Sequence, residues 1–201
     1  MAHSLLRDHR PMDRHRPTRG FTLIELMIVV AIVGILSVLA VVGYRKLVMS
    51  SHTSEATHMV CAIRVAEEAY HAETQTYVAT SPDGFSLWYP AAAPGAFKTG
   101  WGLYAGACAP AAPTANCFQL LPVHVDGPVM FGYTTAAGSA ATAPALNYPA
   151  GVAPPPPNAP ATVTADWYWI TAKGNINGNG VQLAYVIGSS FTNDLWVAED
   201  Y

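Results

Sequence analysis

The chain has 201 residues, room for one compact domain and an extended element but not for two domains with separate cores. It is 51% hydrophobic and only 11% charged, a balance that a wholly water-solvated chain does not carry unless the apolar content is concentrated in one segment. The net charge of −3 is unevenly spread, because five of the ten Lys and Arg residues lie in the first 20 positions; the remainder holds 5 basic and 11 acidic residues, which excludes the basic footprint of non-specific nucleic-acid binding.

Residues 1–20 form a polar, basic leader with Arg7, Arg10, Arg14, Arg16 and Arg19, ending in Thr18-Arg19-Gly20. Met12 offers an alternative start that keeps the leader basic and ends it at the same glycine. The apolar run follows the leader. From Phe21 to Tyr44 it carries a single charge, Glu25, and as a helix it reaches roughly 36 Å, enough for a bilayer core. The Arg-rich leader, set against Arg45 and Lys46 beyond the run, predicts a cytoplasmic N-terminus with the rest of the chain sent outward. A rival reading makes Val38-Leu39-Ala40 a signal-peptidase site that releases a soluble protein at Val41, but it leaves Glu25 without a purpose. A carboxylate in the first turns of a membrane helix costs about 2.5–3.5 kcal/mol, so it is expected either to snorkel to the headgroups or to have a partner.

The order Gly20-Phe21-Thr22-Leu23-Ile24-Glu25, followed by an uncharged helix, resembles the type IV pilin and pseudopilin superfamily over Arg19–Leu47. The resemblance implies that a prepilin peptidase cuts after Gly20 and that the new N-terminal residue, Phe21, is methylated. It also implies that Glu25 attracts the free amine of Phe21 on a neighbouring subunit and so sets the filament register. Many members have a proline near the second of the two glycines in this helix, Gly34 and Gly43; here Val42 and Gly43 stand there instead. Implied partners are other pilin subunits, the peptidase, an inner-membrane assembly platform and, before assembly, membrane lipid. Implied locations are the inner membrane of a Gram-negative cell and then an extracellular filament.

Beyond the apolar run, Ala56, Met59, Val60, Ile63, Ala66, Ala69 and Tyr70 recur at three- and four-residue spacing, with Glu55, Arg64, Glu67, Glu68 and Glu73 largely elsewhere around the helix. A continuous helix over 21–76 is about 84 Å long. Cys61 falls in it and is expected to be a buried small hydrophobe. Ser81-Pro82-Asp83-Gly84 is a turn signal that ends the helix and opens the head, 77–201.

In the head, a short strand is expected near Trp101–Tyr104. Cys117–Val125 and Val129–Thr135 are expected to form a hairpin around Asp126-Gly127-Pro128. Cys108 and Cys117 enclose eight residues, a loop suited to a disulfide in an oxidising compartment. The Ala- and Pro-rich stretch 136–161 is expected to be an exposed, semi-rigid loop. Thr162–Ala172 and Val181–Ile187 are expected strands joined through two Asn-Gly pairs, and Asn193–Val197 a last short strand. Asn175, Asn177 and Asn179 echo the alternating oxygens of calcium loops, but all three are amides and no Glu follows at loop spacing, so any calcium site is weak.

No catalytic constellation emerges. His52, His58 and His71 lack the four-residue helical spacing that pairs imidazoles, His124 stands apart, His3, His9 and His15 lie in the leader, and no Gly-x-Ser-x-Gly, phosphate loop or Cys-x-x-Cys occurs. Neither enzyme activity nor a cofactor is expected. The expected fold is α+β, a long N-terminal α-helix packed through its second half on a small antiparallel β-sheet head of about four strands. The expected function is a structural pilus subunit, with a type II secretion pseudopilin and a tip or minor pilin acting as adhesin as alternatives.

Overall fold

The computed structural model describes residues 20–90, 95, 97–102, 108, 115–146, 159–176 and 183–198. These fall in two compact units, Met1–Tyr44 and Arg45–Tyr201. Helix α1 spans Leu23–Thr74 and is unbroken through Gly34 and Gly43, as a run free of proline allows. In the first unit the seventeen large apolar side chains between Phe21 and Tyr44 are all more than half exposed. Ser37 satisfies its hydroxyl within the helix, on the carbonyl of Val33 at 2.7 Å.

The second unit contains residues 45–74 of α1 and the sheet. Thr53, Ala56, Met59, Val60, Ile63, Ala66 and Glu67 form the buried stripe of this part of the helix. The sheet is an antiparallel meander, β1 (Gly132–Gly138), β2 (Trp167–Gly174), β3 (Ala184–Ser189) and β4 (Thr192–Ala198), in that spatial order. Alternation along β2 sends Tyr168, Ile170 and Ala172 into the core under the helix, and Trp167 and Trp169 to the opposite face. On that opposite face Phe85, Leu146, Ala159, Val163, Phe191 and Trp196 pack against the two tryptophans and Ile187. With both faces covered, β2 and β3 are buried almost throughout.

The outer edge of β1 is covered as well. Tyr89 pairs with Tyr133, and the amides of Thr80 and Ser81 both donate to the Thr135 carbonyl at 2.9 Å. The chain reaches that edge through the expected turn at Ser81–Gly84. There Gly84 has φ +70°, and Asp83 accepts hydrogen bonds from the amides of Phe85 and Ser86 and the hydroxyls of Ser81 and Ser86. Partial burial opposes its charge, but these bonds prevail and hold the Asp83 carboxyl well below the usual range.

Several expectations need correction. Cys117–Val125 is not a strand: Ala115–Leu120 is a 3-10 helix, and Pro122 lacks the amide that a ladder would need at its position. No hairpin therefore forms around Asp126–Pro128; Val129 bridges to Thr99, and β1 begins at Gly132 and pairs with β2. Thr99 makes that bridge two residues before Trp101, while Leu103 and Tyr104 lie outside the described residues. Ala136–Gly138 belong to β1 rather than to a loop, and Leu146 and Ala159 pack on the sheet instead of standing in solvent. Cys61 is exposed, whereas Glu67 is fully buried. The helical phase explains both. Val60, Ile63 and Glu67 share one face at i, i+3 and i+7, and Cys61 is turned about 100° from Val60.

Helix α1 packs tightly over Gly188, at the register shift between β3 and β4. A Cβ there would lie 2.8 Å from Val60 Cγ1 and 3.0 Å from Leu195 Cδ2. Gly188→Ala is expected to destabilise the second unit by about 1–3 kcal/mol through overpacking, read from denaturant unfolding followed by tryptophan fluorescence.

Candidate functional site at the helix N-terminus

Phe21 and Thr22 lead into α1, and Thr22 is its cap. The Glu25 amide donates to Thr22 Oγ1 at 3.3 Å, while the Thr22 amide and hydroxyl donate to Glu25 Oε2 at 2.9 and 2.8 Å. This Thr-x-x-Glu arrangement is a capping box, in which cap and third helical residue satisfy each other's orphan donors. Sequence reasoning singled out Glu25 but missed Thr22, although the three-residue spacing was there to be read. The first helical bond, Leu26 N to Thr22 O at 3.2 Å, starts the ladder directly behind the cap.

The box fixes what Glu25 can do. It holds the carboxylate in the first turn, beside the positive end of the helix dipole, where an anion is favoured. Both bonds use Oε2, so Oε1 keeps its lone pairs for an outside donor. Gly20 and Phe21 are exposed, and nothing lies within 4 Å of where a Gly20 Cβ would be.

The other sequence candidates lie apart from this turn in the chain. Cys108 and Cys117 are joined by a disulfide with Cα atoms 4.7 Å apart. Asn175 is buried after β2, whereas Asn177 and Asn179 lie outside the described residues. Among the described residues no group of three or more His, Cys, Asp and Glu could hold a metal ion. His71 stacks on Tyr77 with ring centroids 4.2 Å apart and lies 3.7 Å from Asp166, so it serves the packing at the end of α1. Glu55, read from sequence as lying off the apolar stripe, binds Lys98 at 2.9 Å and the Met130 amide at 2.7 Å and so ties the helix to two loop segments.

Comparison with known proteins adds to this geometry. Residues 15–41 match the family model described as the prokaryotic N-terminal methylation motif. The chain is 46% identical over 67 residues to the type IV major pilin protein PilA of Myxococcus xanthus, a stretch covering 33% of this chain and 30% of that protein. It is 40% identical over 63 residues to a fimbrial protein of Pseudomonas aeruginosa, covering 31% and 41% of the two chains. With the type IV major alpha-pilin of Moraxella bovis it shares 42% over 60 residues, covering 30% and 38%. The matched stretch thus spans less than half the length of each of these relatives. No solved structure matches the chain.

Replacing Cys108 and Cys117 together by serine is expected to lower the stability of the second unit by about 2.5–3 kcal/mol on the chain-entropy account. Denaturant midpoints of the double variant and of the reduced and oxidised wild type would measure it.

Proposed function

We propose, from an N-terminal segment similar to that of type IV pilins, that this chain is a structural subunit of a pilus. The observation that carries the reading is a methylation motif laid over an exposed apolar helix whose only charge before Arg45 is Glu25. In this reading residues 1–20 are a leader, 21–44 span the inner membrane, and the head beginning at residue 77 faces outward. A prepilin peptidase cuts after Gly20 and Phe21 is methylated. Subunits then leave the bilayer through an assembly platform, and their helices bundle so that neighbouring chains replace lipid.

Register is a matter of electrostatics. Within an apolar bundle the new amine of Phe21 on one subunit is drawn to the Glu25 carboxylate of another. The low dielectric of such a bundle strengthens the pair, and a slipped neighbour leaves both charges unpaired. The capping box supports this by holding the carboxylate ready at the helix start. Relatives that carry the names type IV major pilin and fimbrial protein favour a pilus over a secretion pseudopilin. The filament, in a Gram-negative cell, serves attachment or motility, with the heads as its outer surface.

Mass spectrometry of the mature chain is expected to find methylated Phe21 as the first residue; a start at Val41 would overturn the reading. Glu25→Ala is expected to leave cleavage intact while filament yield in sheared preparations falls at least tenfold. Wild-type yield from that variant would remove Glu25 from the assembly mechanism.

A further inference from the structure

Glu67 is the only Asp or Glu that is buried among the described residues, and it has no exposed surface. It lies where three elements meet: α1, the segment 77–81 and the edge of β1. Its Oε2 accepts the Val78 amide at 2.9 Å. The Thr135 hydroxyl, beside the carboxyl, donates to the Val78 carbonyl at 2.7 Å, and the Thr135 amide donates to Thr80 Oγ1 at 2.8 Å. With the Thr80 and Ser81 amides on the Thr135 carbonyl, this is a closed polar joint made almost entirely of buried groups. One atom in the joint is unmet: Glu67 Oε1 is buried without a hydrogen-bond partner.

No cation among the described residues compensates the carboxyl. Arg64, one turn before it on α1, donates instead to the carbonyls of Asn193 and Thr192 at 2.9 and 3.1 Å. Lys98 is held by Glu55. Glu68 is adjacent on α1, His71 follows one turn later near Asp166, and Tyr77 on the covering segment donates to Glu68. From β2, Tyr168 lies edge-on to Tyr77; from β1, only the Thr135 hydroxyl reaches the carboxyl. Burial above all, with Glu68 adding to it, outweighs the bonds from Val78 and Thr135 and pushes the Glu67 carboxyl up to about 8. Burial and Glu68 also push Tyr77 up to about 12, so it stays protonated while Glu67 titrates.

We propose that Glu67 is a proton-operated latch: as a neutral acid it keeps segment 77–81 seated on α1 and on the edge of β1, and on ionising it releases that segment to water. A neutral carboxyl with one unmet oxygen is tolerable in this joint, whereas a carboxylate with the same oxygen unmet demands hydration. Linkage gives the direction. The folded-state value lies above the ordinary 4.5, so the stability this group confers is complete below about 4.5 and is lost as pH rises through about 8. Because opening returns Glu67 to water, the opening equilibrium rises about tenfold per pH unit inside that window. The main-chain groups of Thr135 on the β1 edge are then uncovered. The latch lies within the second unit, and its test does not depend on whether the chain polymerises.

Amide hydrogen exchange of the full chain in detergent micelles tests it, with rates at Val78, Thr80 and Ser81 converted to protection factors so that intrinsic base catalysis cancels. The wild type is expected to lose about tenfold protection per pH unit between about pH 5.5 and 7.5, Glu67→Gln to show a flat profile, and Glu68→Gln to keep the wild-type slope. Flat wild-type protection, or a Glu67→Gln profile as steep as the wild type, overturns the proposal. Should Glu67→Gln fail to fold, carboxyl carbon NMR of wild-type Glu67 decides. A midpoint above about 7 supports the latch, and one in the ordinary range near 4.5 overturns it.

Discussion

An apolar helix surface with no cover governs the rest of this molecule. Seventeen large side chains from Phe21 to Tyr44 lie open on all sides of α1. At roughly 1.5–3 kcal/mol for each such side chain removed from water, the segment stands to gain tens of kcal/mol from any apolar surroundings. Bilayer lipid and the same helices of other copies both supply those surroundings. In the proposed pilus subunit, passage from one to the other is close to an exchange of equivalent solvents, in which the few polar groups decide direction and register. Glu25 is the one charge in that stretch, and Thr22 keeps it at the helix start.

The second unit solves a different problem. From residue 45 onward the helix has a buried stripe, and the sheet beneath it is covered on its opposite face by a Trp- and Phe-rich layer. A four-stranded meander has two edges, and the β1 edge is capped by the chain leaving the helix, through Thr80, Ser81 and Tyr89. That cover is polar where it meets α1. A buried carboxyl in such a joint is weak evidence of added stability but strong evidence of conditional stability, because its cost depends on its proton.

The two units express two uses of one helix. In the first, the surface is apolar on all sides and carries a single charge, Glu25. In the second, phase is everything. A turn of about 100° separates Val60 in the core from Cys61 at the surface, and a glycine at 188 lets the helix settle onto β3.

The sequence by itself determined the apolar run, the existence of the long helix, and three of the four strands to within a few residues, and it singled out Gly20, Phe21 and Glu25 as candidates. These are local properties: hydropathy, period and motif spacing survive whatever the rest of the chain does. The tertiary structure alone decided the partner of β1, the 3-10 turn at Ala115–Leu120 in place of a strand, and the packing of Leu146 and Ala159 from a stretch that reads as open loop. It also decided that Glu67 is inside and Cys61 outside. Each of these depends on which surface a residue meets across the fold. Charge and propensity are written in the chain, but the neighbour that makes a glutamate costly or a cysteine accessible is supplied by residues far away in sequence.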